Sequence, residues 1–240
     1  MCDVCVEERL GRRNFLGRRN FMIGGASMLA AASFGGVASA QPVSAAKTPD
    51  EALNLLVEGN ARYVGNQPRE RDFSAARANL AKGQAPFASI LGCADSRVAP
   101  ELAFDQNPGD LFVVRVAGNF VTPDGLGSLE YGAAVLGSKL IMVLGHSSCG
   151  AVNATVEALQ KGNTLPGHIA DLVRAMKPGI APVLKKRGDD LQQRAIVANV
   201  QHNVERLKKA TPILAAMVAK KEVRVVGGVY ELATGKVTLV

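Results

Sequence analysis

The polar and apolar positions of this chain change rhythm near residue 87. From there on, four runs are short and almost continuously apolar: "FASILGC" (87–93), "LFVVRVAG" (111–118), "KLIMVLGH" (139–146) and "EVRVVGGVY" (222–230). Each is bounded by polar or glycine-rich residues, the pattern of strands buried on both faces of a mainly parallel sheet. Between them, apolar positions recur at helical spacing over about 124–137, 150–161, 167–185, 190–209 and, more briefly, 211–220. Strands alternating with helices place the chain in the α/β class, with a mostly parallel central β-sheet flanked by helices. "KVTLV" (236–240) predicts an added edge strand.

The segment before the sheet has a different pattern. "TPDEALNLLVEGNARYVG" (48–65) predicts a helix: Thr48 can cap it, Pro49 suits its first position, and Glu51 completes a capping box. Leu53, Leu56 and Val57 form its apolar stripe, with Tyr63 further along. "ERDFSAARANLAKGQAP" (70–86) reads as polar helix or loop, so residues 48–82 form a helical arm leading into the sheet. The mature chain has no internal repeat or low-complexity linker, and residues 41–240 read as one domain.

The first forty residues read as an address. "GRRNFLGRRNFMIGG" holds the twin-arginine pattern twice, at Arg12-Arg13 and Arg18-Arg19. A Gly- and Ala-rich apolar run follows, from Phe21 to about Val37, and then Ala38-Ser39-Ala40, small residues suited to a signal peptidase. A charged start, a short apolar middle and an A-x-A end predict a signal removed after Ala40 and export by the twin-arginine translocase to the periplasm. The run is too short and too rich in Gly and Ser for a stable membrane span.

Composition narrows the function. The 240 residues are 48% hydrophobic and 20% charged, enough for one good core. The formal charge is +7, but the cations are scattered, and with eight Phe, three Tyr and no Trp there is little to stack on bases. No nucleic-acid partner is expected. Losing residues 1–40 removes five arginines and three acids, and also Cys2 and Cys5, a C-x-x-C pair at the extreme terminus that reads as incidental. Cys93 and Cys149 remain, bound for an oxidising compartment. Either they pair as a disulfide or a metal protects them.

"CADSR" (93–97) puts a thiol, a carboxylate and a guanidinium at every second position, where a strand leaving a sheet points all three the same way. "GHSSCGAV" (145–152) ends another strand with His146 and Cys149 in an H-x-x-C spacing. Function in open parallel sheets gathers beyond the carboxyl ends of strands. If these two strands are neighbours, Cys93, His146 and Cys149 converge into a ligand set that suits zinc. Asp95 or water can take the fourth place, and Arg97 can neutralise and orient Asp95 or draw it off the metal. Three protein ligands with one exchangeable place make a catalytic site, able to attack an electrophile with bound hydroxide; four fixed ligands make a structural one. A lone cysteine at a strand end is usually a small buried hydrophobe, and an Asp-x-Arg pair is often only a salt bridge. Their conjunction at two strand ends is harder to assign to packing. Gly150 lets the following helix start close to the metal. His168 and His202, in helical segments without partners, read as surface or packing residues.

"CADSRVAPE" followed about fifty residues later by "HSSCGAV" resembles the β-class carbonic anhydrases, and the resemblance runs from about Ala52 to Tyr230. It implies a zinc lyase that interconverts carbon dioxide and water with bicarbonate and a proton. It also implies a homodimer or homotetramer in which N-terminal helices wrap the partner. Carried over, Cys93, His146 and Cys149 are the zinc ligands, and Asp95 and Arg97 are the catalytic dyad. In some members that aspartate ligates zinc in a closed, inactive state, and the arginine pulls it away in the open one. Gln84 in "GQAP", Phe112 in "LFVVR" and Tyr131 in "LEYGAAVLG" resemble the substrate pocket. Two departures stand out: Ala117 replaces the usual valine, and without tryptophan the non-catalytic bicarbonate site of some members is not expected. The alternatives are a related zinc hydrolase of carbon disulfide or carbonyl sulfide, a non-catalytic zinc protein, and a thiol redox protein using Cys93 and Cys149.

Overall fold

Residues 45–186 and 188–240 are described by a computed structural model. The predicted leader, with its arginine pairs, Cys2 and Cys5, lies outside the described residues. Five strands form one sheet in the order β2-β1-β3-β4-β5: β1 (Ala88–Gly92), β2 (Leu111–Arg115), β3 (Leu140–His146), β4 (Arg224–Tyr230) and β5 (Val237–Leu239). The first four pair in parallel, and β5 pairs antiparallel on the edge of β4, where the sequence predicts it. All residues of β1 and β3 are buried, which is why their runs lack polar alternation.

The helices are α1 (Pro49–Val64), α2 (Phe73–Leu80), α3 (Pro100–Ala103), α4 (Pro123–Ala134), α5 (Gly150–Lys161), α6 (Ile169–Ile180), α7 (Leu191–Lys208) and α8 (Leu214–Ala219). Alternate residues of β3 serve opposite faces of the sheet. Ile141 and Val143 join Val152 and Val156 of α5, Met176 of α6, and Ile196 and Val200 of α7 in one core. Leu140, Met142 and Leu144 meet Leu53 and Leu56 of α1, with Phe87 and Phe104, in the other. Sealing a fully buried Leu or Phe on either side contributes roughly 1.5–3 kcal/mol. The capping box of α1 is formed: Glu51 N donates to Thr48 Oγ1 at 3.2 Å, and Thr48 N donates back to Glu51 Oε2 at 3.3 Å.

Two boundaries and one short helix differ from the sequence reading. The run 111–118 leaves the sheet after Arg115, because Gly118 (φ +88°) and Asn119 (φ +42°) turn the chain. The long helix expected over 167–185 stops at Ile180 and tightens into a 3₁₀ turn over Ala181–Lys185. Pro178 and Pro182 lack the amide hydrogens that would continue it. The four-residue α3 is too short to leave a periodic signal. Among the described residues, no helix is long and apolar enough to cross a membrane.

Candidate metal centre

β1 and β3 are adjacent and parallel, with Gly92 opposite Leu144, so Cys93 leaves the sheet beside the end of β3 that carries His146. After His146 the chain turns through Ser148, a non-glycine residue at φ +53°, and Cys149 then caps the N-terminus of α5. The turn brings the ligand atoms of Cys93, His146 and Cys149 within 4.8 Å of one another, all three residues buried. The two sulfurs are 4.0 Å apart. Sulfurs sharing a tetrahedral zinc at ~2.3 Å bonds lie about 3.8 Å apart, so the spacing fits. His146 is ready to ligate: its Nδ1 is 2.9 Å from the Ser147 carbonyl oxygen, which only accepts. In the neutral ring the proton therefore sits on Nδ1 and the lone pair on Nε2, which is buried without a hydrogen-bond partner. A neutral imidazole lone pair beside two thiols is a donor set that a divalent metal fits.

Asp95 stands at the rim. Its Oδ2 is 3.8 Å from His146 Nε2. Arg97 holds the carboxylate through Nε to Oδ1 (2.9 Å), Nη2 to Oδ2 (2.7 Å) and its backbone N to Oδ1 (3.0 Å). Hydrogen bonding by Arg97 keeps the Asp95 carboxyl far below the usual range despite some burial. Without metal the two thiols share a proton. The Cys149 hydrogen bond pulls Cys93 down strongly, and the same bond, with burial, pushes Cys149 up. Burial opposes a charge on His146, but the neighbouring Cys93 outweighs it and raises the imidazole above its ordinary value.

Several residues that hold this site were not singled out from the sequence. Arg115, at the end of β2, donates to the carbonyls of Cys93 (2.9 Å), Asp95 (2.7 Å) and Val98 (2.8 Å), fixing the CADSR loop. Gly118 N–H donates to Cys93 Sγ at 3.3 Å, and Asn199 on α7 holds the Gly118 carbonyl at 2.8 Å. Ser147 Oγ donates to Glu231 Oε1 at 2.7 Å. Of the residues that were singled out, Gly150 is not required for space, since a Cβ there would meet nothing within 4 Å. His168 is exposed beside Asp171, and the His202 ring packs on Gly179 of α6.

Gln84, Phe112 and Tyr131 sit elsewhere in the chain. Gln84 is exposed in the loop entering β1, and Phe112 pairs with Ser89, near the start of that strand. Cys93 is four residues further on, about 13 Å along an extended strand. Tyr131 of α4 is 47% exposed, its ring centroid 6.3 Å from that of Phe112. The Cys93, His146 and Cys149 cluster and these three residues therefore flank opposite ends of β1 within the chain.

The chain as a whole is similar to several known proteins. The carbonic anhydrase family pattern matches residues 88–237. "Carbonic anhydrase 2" of Mycobacterium tuberculosis is 40% identical over 195 residues, which cover 80% of this chain and 92% of that protein. The carbonic anhydrase of Mycolicibacterium smegmatis is 41% identical over 192 residues, covering 80% and 93%. Among solved structures, the β-carbonic anhydrase CcaA superposes with a TM-score of 0.64 at 28% identity, covering 78% of this chain and 94% of that one. A Coccomyxa β-carbonic anhydrase, solved with acetazolamide, gives 0.63 at 31% identity, covering 78% and 86%.

Proposed function

The chain belongs to the carbonic anhydrase family, β class, a family of lyases, and from that premise we propose that it binds Zn2+ through Cys93, His146 and Cys149 and hydrates carbon dioxide reversibly to bicarbonate and a proton. The observation that carries this reading is the buried, unpartnered Nε2 of His146, between two thiols and an Arg97-held carboxylate. Zinc bound there supplies a Lewis acid that makes water nucleophilic near neutral pH. The chain supplies the rest. Asp95, kept ionised by Arg97, accepts a hydrogen bond from the attacking water and turns its lone pair toward carbon dioxide. Arg97 fixes the direction of that carboxylate and holds it back from the ligand cluster; released by Arg97, Asp95 would be free to serve as a further ligand.

Gln84, Phe112 and Tyr131 form the substrate wall, with an amide donor for the product oxygen beside two aromatic rings. Because they flank the far end of β1, they reach this chemistry only from a second copy of the chain, which makes the functional unit a homodimer or an assembly of dimers. The exposed Phe73 of α2 and Val135 after α4 supply apolar surface for that contact. Residues 1–40 direct the protein through the twin-arginine route to the periplasm, already folded and loaded with metal.

The test is stopped-flow carbon dioxide hydration by the zinc-loaded protein. Chelator-sensitive turnover supports the reading. Stoichiometric zinc with no turnover would overturn it and leave a hydrolase of carbon disulfide or carbonyl sulfide, or a structural zinc site, assayed next on those substrates.

A further inference from the structure

The metal-facing nitrogen of His146 is usable only while Nδ1 keeps its proton, and that depends on one carbonyl, that of Ser147. The peptide presenting this carbonyl is not in a relaxed turn. The next residue, Ser148, has φ +53°, a conformation that costs a non-glycine residue about 1 kcal/mol or more. Something outside the turn must hold it.

Three consecutive residues at the end of β4 do so. Ser147 N donates to the Tyr230 carbonyl at 2.9 Å. Ser147 Oγ donates to Glu231 Oε1 at 2.7 Å and accepts from Leu232 N at 3.0 Å. The Glu231 carboxylate is itself pinned by Ala233 N, 3.2 Å from the same Oε1. Ser147 is only 8% exposed, so its hydroxyl has little access to replacement water.

We infer that Ser147 and Glu231 form a positioning clamp for the metal ligand His146, in which the Glu231 carboxylate locks the Ser147 hydroxyl so that the Ser147 carbonyl keeps His146 Nδ1 protonated. The inference rests on the zinc reading above. Neither residue touches substrate or metal. If the clamp is released, the Ser147 peptide rotates, Nδ1–H loses its acceptor, and the tautomer with hydrogen on Nε2 becomes accessible. That tautomer presents a donor to the two sulfurs where a ligand is needed. Partners that orient a ligating histidine typically tune metal affinity by about 10–100-fold.

The experiment measures Zn2+ affinity by chelator competition in the full chain, and the visible absorption bands of the Co2+-substituted protein. Glu231→Ala should weaken Zn2+ binding by about 10–100-fold and shift the Co2+ bands. Glu231→Gln keeps an oxygen acceptor for Ser147 and should stay within about threefold of the parent, with unchanged bands. Should Glu231→Ala fail to fold, Ser147→Ala, which deletes a single hydroxyl, is expected to weaken Zn2+ binding in the same direction. Parental affinity and spectrum in Glu231→Ala would overturn the clamp. So would equal losses in the Ala and Gln variants, because the carboxylate charge would then be the active feature. A parent chain that binds no Zn2+ would overturn the metal reading itself, a result distinct from either.

Discussion

Arg97 grips the Asp95 carboxylate at both oxygens, Nε 2.9 Å from Oδ1 and Nη2 2.7 Å from Oδ2, while Asp95 Oδ2 stays 3.8 Å from His146 Nε2. A bidentate pair of this kind fixes direction as well as charge. The carboxylate is thus an oriented acceptor next to the ligand cluster rather than a member of it. Asp95→Asn leaves all three metal ligands in place, so zinc content should match the parent. Turnover should fall by about 10²–10⁴-fold, the usual contribution of a positioned proton acceptor. Stopped-flow hydration beside metal analysis on the same samples checks both. Full activity in the Asn variant would remove Asp95 from the mechanism.

Cys93 and Cys149 belong to the core that also contains Val152, Met176 and Val200. Zinc bound there would therefore be linked to folding through the same side chains. Added Zn2+ should raise the melting temperature in a concentration-dependent way, reaching about 4 kcal/mol of stabilisation at a thousandfold excess over Kd. Calorimetry with and without chelator reads this. A melting temperature insensitive to both would mean that the cluster holds no metal in the folded state.

The convergence of Cys93, His146 and Cys149 was legible in the sequence because two features coincide. Thiol and imidazole groups are scarce, and the apolar runs that precede them mark strand ends. What the sequence could not give is adjacency across the sheet. Ser147 and Glu231 are 84 positions apart and meet only because β3 lies beside β4. Gln84, Phe112 and Tyr131 were named from the resemblance alone, and their distance from Cys93 depends on strand register, which the motif does not encode. The break at Ile180 was readable from Pro178 and Pro182; the apolar spacing over 167–185 obscured it.

Asp105, in the turn after α3, is a second charge centre. Its side chain is 1% exposed and meets Arg62 Nε at 2.6 Å, with Arg69 and Arg71 also paired to it. Burial alone would raise its carboxyl; the hydrogen bonds and charges of the arginines outweigh it and hold the group below its ordinary value. A depressed carboxyl stabilises the fold above the unfolded value near 3.9, and the contribution is lost as pH falls through the folded value. Asp105→Asn should cost about 3 kcal/mol at neutral pH, since it removes the buried charge that pairs with the part-buried guanidinium groups of Arg62 and Arg71. The gap between parent and variant should narrow below about pH 4. Urea melts across pH measure it, and a gap constant down to pH 2 would contradict the assignment.

Gly118 donates its amide to Cys93 and sits at φ +88°, with a built Cβ falling 2.4 Å from Met176 Sδ. Gly118→Ala meets both backbone strain and a buried neighbour, so a loss of about 2 kcal/mol is expected. Gly150 is the matched control: it adjoins Cys149, but a Cβ there is unopposed. Gly150→Ala should therefore stay within about 0.5 kcal/mol of the parent. Equal losses at the two positions, read by denaturant melts, would show that proximity to the metal ligands and not backbone geometry sets the cost.

The last prediction concerns where the substrate wall comes from. Cys93 is on one side of β1's length, and Gln84, Phe112 and Tyr131 are on the other. If a centre takes its ligands from one copy and its wall from another, two inactive variants can repair each other. Cys93→Ser abolishes the metal site but keeps the wall. Gln84→Ala combined with Phe112→Ala damages the wall but keeps the ligands. In a hybrid of the two, one centre unites intact ligands with an intact wall, and its partner centre has neither. Mixing the unfolded variants and refolding them together with Zn2+ should therefore restore activity, approaching a quarter of the parent value if two kinds of chain pair at random in dimers, half of the dimers being hybrids with one good centre of two. Were each centre built from a single chain, every centre in the mixture would carry a lesion, and activity would remain at the level of the separate variants.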